Sequence, residues 1–194
     1  MATQLKLIDL ERTYTAEEFE QLPDDGNRYE LIDGRLREMP PAGDRHGRIG
    51  KRLAKAFLAH DPEETQGMVW FNTGFVLDAL NTPEPDLMYI VTERCPVEAD
   101  KALPVIPDLV VEVWSPSQLT ATGIDKESME KIRKYQKVGV KIIWSIIPAR
   151  KTVSVYYPDK LEPVKVLTIG DNLDGETVIP GLKIDLSKIF DPVS

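Results

Sequence analysis

A chain of 194 residues, 42% of them hydrophobic, is long enough to bury a real core, and we read 1–194 as a single domain. A net charge of −8 argues against a protein that coats nucleic acid by charge alone, although a carboxylate-lined metal site is itself acidic before its ion binds. No run of about eighteen apolar residues is present to span a membrane. The first fifteen residues lack the basic start and apolar stretch of a secretory signal. A single cysteine, Cys95, cannot form an internal disulfide, so a cytoplasmic protein is expected.

In chain order, Thr15-Ala-Glu-Glu opens a short helix, with Thr15 as its cap and Glu18 at capping-box spacing. Two strands, 29–32 and 35–39, flank Asp33-Gly34, a strong hairpin signal. Residues 1–40 thus form an N-terminal helix and hairpin. A longer helix is predicted over 44–59, burying Ile49, Leu53, Ala54, Phe57 and Leu58. Arg45, Arg48, Lys51, Arg52 and Lys55 cover much of the rest. They are either a solvated face or a phosphate-facing patch, with Arg48, Lys51, Arg52 and Lys55 as its candidate contacts.

Strands follow at 68–77, 87–91 and 109–114. The last, Leu109-Val-Val-Glu-Val-Trp, is almost wholly apolar and predicts a central strand buried on both faces. A second helix spans 125–138 and ends at Gly139. Another buried strand runs over 141–147, then a hairpin over 153–157 and 164–169 turns at Pro158-Asp159. The tail to Phe190 reads as a sheet extension and a turn, making 150–194 a β extension of the same domain. The fold class is α/β, a mixed sheet with helices packed on it.

The residue that most needs an explanation is Glu112. A carboxylate inside a buried strand is costly unless it is paired, protonated or bound to a metal. Asp108 shares its face but lies about 13 Å away along the strand, too far to hold the same ion at about 2.1 Å. It is left a supporting role, or that of a turn residue before the strand. Asp86 opens a different strand. If that strand pairs beside 109–114, its carboxylate lies about 5 Å from Glu112 across the ladder. On the second helix, Lys131 stands about 100° from Ile132, on the border of the buried face and flanked by Ser128 and Tyr135. A border lysine can reach inward or snorkel to solvent. Two carboxylates can hold a Mg²⁺ ion that keeps several waters. Such an ion polarises a phosphate oxygen and eases deprotonation of a bound water. A nearby lysine can orient that water or stabilise charge growing on phosphorus. The chain has no phosphate-cradling glycine loop, nucleophile elbow or zinc-like Cys/His spacing.

Several stretches carry a family likeness: Tyr29-Glu-Leu-Ile-Asp-Gly34, Pro85-Asp86-Leu87, Pro107-Asp-Leu-Val-Val-Glu-Val-Trp-Ser-Pro-Ser117, and Glu130-Lys131 with Tyr135 and Gly139-Val140. Ile142-Ile-Trp144 and Val178-Ile-Pro-Gly181 add to them. Together they resemble, over nearly the whole length, the Uma-type restriction endonuclease family, a branch of the PD-(D/E)xK nuclease superfamily. The resemblance implies a restriction-endonuclease-like core, a central mixed sheet flanked by helices. It implies Mg²⁺, with Mn²⁺ as a substitute, held by Asp86 and Glu112. The superfamily pattern places a lysine two residues after the Glu, where this chain has Trp114; Lys131 matches the place to which this branch has moved it. Glu30 matches an acidic residue of the family's N-terminal site region. His46 matches a histidine at the start of the long helix, where it could equally be a helix-terminal polar residue. Asp108 and Tyr135 complete the auxiliary candidates. Asp125-Lys-Glu-Ser departs from the family's acidic spacing, which leaves Asp125 and Glu127 both as candidates for a further acid. The expected function is a Mg²⁺-dependent endonuclease acting on nucleic acid, with DNA as substrate, working as a homodimer because double-strand cutting needs two sites. The alternative is a non-catalytic nucleic-acid-binding or assembly module that keeps the fold. The acidic charge and the missing strand lysine favour that alternative.

Overall fold

The computed structural model describes residues 8–41, 43–96 and 101–190. The outermost parts of the single-domain reading, 1–7 and 191–194, lie outside the described residues. The short first helix, α1 (Ala16–Phe19), carries the expected capping box, with Thr15 and Glu18 bonding each other's backbone. Strands β1 (Tyr29–Ile32) and β2 (Arg35–Glu38) pair antiparallel around Asp33 and Gly34. Both turn residues have positive φ, 51° and 73°, the conformation that an Asp-Gly two-residue hairpin adopts. Gly34 is required twice over, since a Cβ there would lie 2.5 Å from Thr13 Cγ2.

The long helix α2 (Asp44–His60) precedes β3 (Gly67–Phe71), β4 (Leu87–Val91) and β5 (Leu109–Val113). Helix α3 (Lys126–Lys137) connects β5 to β6 (Ile142–Ile147), followed by β7 (Thr152–Tyr156) and β8 (Lys165–Leu167). These six strands form one sheet in the order β3-β4-β5-β6-β7-β8. Only β5 and β6 run parallel, as a crossover through a helix requires. Alternation on β5 sends Leu109, Val111 and Val113 to one face, where α2 presents Ile49, Leu53 and Phe57. The Phe57 ring meets those of Tyr89 and Trp144 at 6.1 and 5.9 Å. Val110 and Trp114 face the other way, onto Ile132 and Tyr135 of α3. The central strand is therefore buried on both faces, and Glu112 points towards α3.

Three expectations change. The third strand ends at Phe71, not at residue 77. Asn72 turns the backbone to φ 47°, after which Phe75 and Val76 bond Pro83 and Leu103, bringing Phe75 against Tyr135. Leu58 is 48% exposed because it lies about 100° from Phe57 and off the buried stripe. In the tail, β7 and β8 extend the sheet, but β9 (Asn172–Asp174) and β10 (Lys183–Asp185) pair only with each other. With α4 (Leu186–Phe190) they bury Leu173, Ile184, Leu186 and Ile189 in the core beneath α2. Among the described residues no helix is long and apolar enough to cross a membrane.

Candidate active site

The β4–β5 register, Leu87 opposite Val111 and Met88 opposite Val110, brings Asp86, the residue before β4, alongside the Glu112–Val113 end of β5. Asp86 is fixed from two sides. Its Oδ2 accepts a 2.7 Å bond from the Val113 amide, and its Oδ1 lies 2.8 Å from His46 Nε2 in the first turn of α2. That bond raises the His46 pKa, with burial opposing it. The site therefore joins both β strands to the start of the helix on the opposite side of the sheet.

Glu112 meets a different set. Tyr135 Oη donates to its Oε1 at 2.7 Å, and Lys131 Nζ sits 3.0 Å from the same oxygen. Lys131 also lies 2.8 Å from Glu30 Oε2 on β1, so one ammonium serves two buried carboxylates. Burial alone would lower the Lys131 pKa, but Glu112 and Glu30 together hold it above its ordinary value. Glu112 is worse off, because it shares that cation with Glu30 and also faces Asp86. Burial, helped by those two negative neighbours, pushes its pKa up to about 7 against the pull of Lys131 and Tyr135. Burial and the Glu112 charge in turn raise the Tyr135 hydroxyl well above its usual value. The pair is thus asymmetric: Lys131 stays charged, while Glu112 lacks enough positive charge around it.

These groups line one cleft of about 640 Å³. It gathers Asp86, Glu112, Lys131, Glu30 and His46, with Tyr135 buried behind Glu112. Asp108 is not among them. It is fully buried near the opposite end of β5, where it accepts bonds from the Val91 amide and Arg94 and pairs with Lys141 at 2.9 Å. Asp125 caps α3 through the Ser128 amide, whereas Glu127 reaches the cleft wall and pairs with Arg37 at 3.3 Å.

Of the helix-borne basic residues, Arg48, Lys51, Arg52 and Lys55 lie outside the cleft lining. Arg48 pairs with Asp44 one turn earlier, and Arg52 donates to the Ile189 carbonyl, tying α2 to α4. The cleft draws instead on Arg28, Arg37 and Arg45. Arg28 pairs with Glu84, and Arg45 has no carboxylate partner among the described residues. Glu84 also lines the cleft, its pKa raised by burial, and sequence reasoning did not single it out. A signal was present: in Pro83-Glu84-Pro85-Asp86 two prolines favour an extended chain, where residues two apart share a side.

Among the described residues no three His, Cys, Asp or Glu side chains form a ready-made metal cage. The donors available are two facing carboxylates, and a Mg²⁺ ion bound through one or two carboxylates keeps the rest of its shell as water. Glu30, Asp86 and Glu112 put three carboxylates against one permanent cation, Lys131, and a cation would relieve that excess. The donor set and its electrostatics fit a hard divalent ion.

The family described as "Uma2: Putative restriction endonuclease" matches residues 16–187. A crystal structure of a "putative nuclease belonging to DUF820" from Anabaena variabilis ATCC 29413 is similar in fold. Its TM-score is 0.75 at 21% identity, covering 91% of this chain and 97% of that one. No curated protein matches the chain. With the family match spanning residues 16–187, most of its length, the chain belongs to the Uma2 family of putative restriction endonucleases.

Proposed function

We propose that the protein is a metal-dependent endonuclease that hydrolyses phosphodiester bonds in DNA. The observation that carries this reading is the meeting of three chain-distant residues in one cleft. Lys131 Nζ lies 3.0 Å from Glu112, and Asp86 accepts a bond from the amide of the next residue, Val113. Asp86 and Glu112 would hold Mg²⁺ or Mn²⁺, which when bound supplies Lewis acidity and a more acidic water. The chain's own residues do the rest. Tyr135 and Lys131 fix the Glu112 carboxylate, while the Val113 amide and His46 fix Asp86. The Lys131 ammonium, held charged in a buried setting, can orient the attacking water and stabilise negative charge on the phosphoryl oxygens. Arg28 and Arg37 line the cleft in ion pairs with Glu84 and Glu127, which leaves Arg45, without a carboxylate partner among the described residues, as the arginine to meet the phosphate backbone. Cutting both strands needs two such sites, so a homodimer is part of the proposal, and a monomer by light scattering would remove that part.

The test is nicking of supercoiled plasmid with Mg²⁺ or Mn²⁺, beside EDTA, Glu112→Gln and Lys131→Ala. Metal-dependent nicking lost in both variants is the expected result. Unchanged nicking by Glu112→Gln would sink the assignment. Metal-independent binding of DNA without cleavage would point to the non-catalytic module.

A further inference from the structure

Beside the cleft lies a second cavity of about 280 Å³, and Asn72 and Glu84 line both. The proposed hydrolysis uses nothing in it. Its walls combine two half-buried aromatic rings, Phe19 and Tyr29, with hydrogen-bonding side chains. The Tyr29 ring is held in place: its hydroxyl donates to Asp25 Oδ2 at 2.9 Å and accepts from Asn27 at 3.3 Å. Thr82 also lines the cavity and is 1% exposed. Its Oγ1 is buried without a hydrogen-bond partner among the described residues. A buried hydroxyl left unmatched is costly, and each such group calls for an explanation. The wall offers both donors and acceptors, since the Asn72 amide can do either and the Glu84 carboxylate accepts.

A flat, uncharged ring with a polar edge suits this combination. Aromatic faces stack on nucleobases whatever their identity, and nearby amide and carboxylate groups read the base edge. The position is also right. Glu84 and Asp86 are two residues apart, about 7 Å along an extended chain, so the cavity lies within one nucleotide's reach of the carboxylates. Its volume is near the lower end for small-molecule pockets, about 300 Å³, which leaves room for one base rather than a longer ligand. We infer that this second cavity receives one unstacked nucleobase of the strand whose phosphate occupies the main cleft. The inference rests on the nuclease reading and adds a contact that sets where the strand sits.

An abasic scan tests it. A short fluorescein-labelled oligonucleotide, as single strand and as duplex, is bound by the protein with Ca²⁺ replacing Mg²⁺, and one base is removed at each position in turn. Affinity is read by anisotropy. The expected result is one position at which loss of the base weakens binding about tenfold, the scale of one stacked base, with much smaller effects elsewhere. Gly74 lines the cavity, and a Cβ there would sit 3.5 Å from Thr82 Cγ2, so Gly74→Leu should fill the space. In that variant the privileged position should disappear, and Phe19→Ala should reduce it without filling the cavity. A penalty spread evenly over all positions, with Mg²⁺-dependent cleavage intact, overturns the base pocket and leaves the nuclease reading standing. A privileged position that survives unchanged in both variants overturns it as well. Loss of both binding and cleavage in the wild type overturns the two readings together.

Discussion

Replacing Glu112 with Gln should make the metal-free protein more stable at neutral and alkaline pH, not less. Glu112 is buried at 4% exposure, and its pKa rises from an ordinary 4.5 to about 7. A folded-state pKa above the unfolded value means that the native protein binds the proton more tightly. The stability contributed by this group is fully present below about 4.5 and is lost as pH rises through about 7. At about 1.4 kcal/mol for each tenfold in proton affinity, the loss is about 3 kcal/mol. Gln keeps the shape and cannot ionise, so it mimics the protonated acid at every pH. Urea unfolding of wild type and variant in EDTA, from about pH 5 to about pH 8, reads the difference. The two curves should nearly coincide at the acid end and separate by about 3 kcal/mol at the alkaline end. Mg²⁺ should then restore stability to the wild type and leave the variant unmoved. A gap independent of pH, or a variant less stable at about pH 8, would refute the claim that Glu112 lacks enough positive charge around it.

Other outcomes follow from the same geometry. Lys131→Ala leaves Glu30 and Glu112 buried without their shared cation, so a loss of about 3–5 kcal/mol in urea unfolding at neutral pH is expected alongside lost cleavage. Asp108→Asn removes the acceptor charge from Arg94 and Lys141. Because the two cations left behind are half exposed, it should lower stability by only about 1–2 kcal/mol, while cleavage per folded molecule holds, because that side chain is outside the cleft. Arg45→Ala should weaken DNA binding and reduce the salt slope of log affinity by about one. Lys55→Ala, outside the cleft lining, should do neither, and anisotropy titrations across a salt series distinguish them.

Where the chain's chemistry is periodic, the fold can be read directly. Leu109-Val-Val-Glu-Val contains only one charge, so its place at the centre of the sheet follows from hydrophobicity, and Asp33-Gly34 specifies its hairpin because few other pairs accept two positive φ angles in succession. The end of β3 is less visible. Residues 72–77 look like a continuing strand, and only the left-handed backbone at Asn72, together with partners distant in sequence, turns the chain aside. The site divides in the same way. Asp86 and Glu112 meet because antiparallel register is a local consequence of pairing two apolar strands. Which arginines reach the cleft depends on how the hairpin and the start of α2 close over the sheet, a tertiary fact that the composition of α2 alone does not contain. A helix face rich in Arg and Lys therefore attracts attention, although two of its members, Arg48 and Arg52, are engaged in holding the protein together.

The same logic accounts for the lysine that the superfamily pattern would place at position 114. Trp114 faces α3 among Val110, Ile132 and Tyr135, and its indole N–H donates to Ser145 Oγ at 2.7 Å on the neighbouring parallel strand. A lysine there would exchange a buried aromatic ring for a charge and leave Ser145 without its donor. Lys131 delivers the ammonium from α3, packed on that same face, 3.0 Å from Glu112, and is held by Glu30 as well. The helix position therefore has two anchors for one cation. Moving the charge back, with Trp114→Lys and Lys131→Met together, should fail in both respects: the apolar layer under α3 loses its indole, and Glu30 loses its partner. Cleavage at wild-type rate by that double variant would show that only the charge near Glu112 matters. Loss of cleavage together with several kcal/mol of stability would show that the helix lysine and the strand tryptophan form one coupled arrangement.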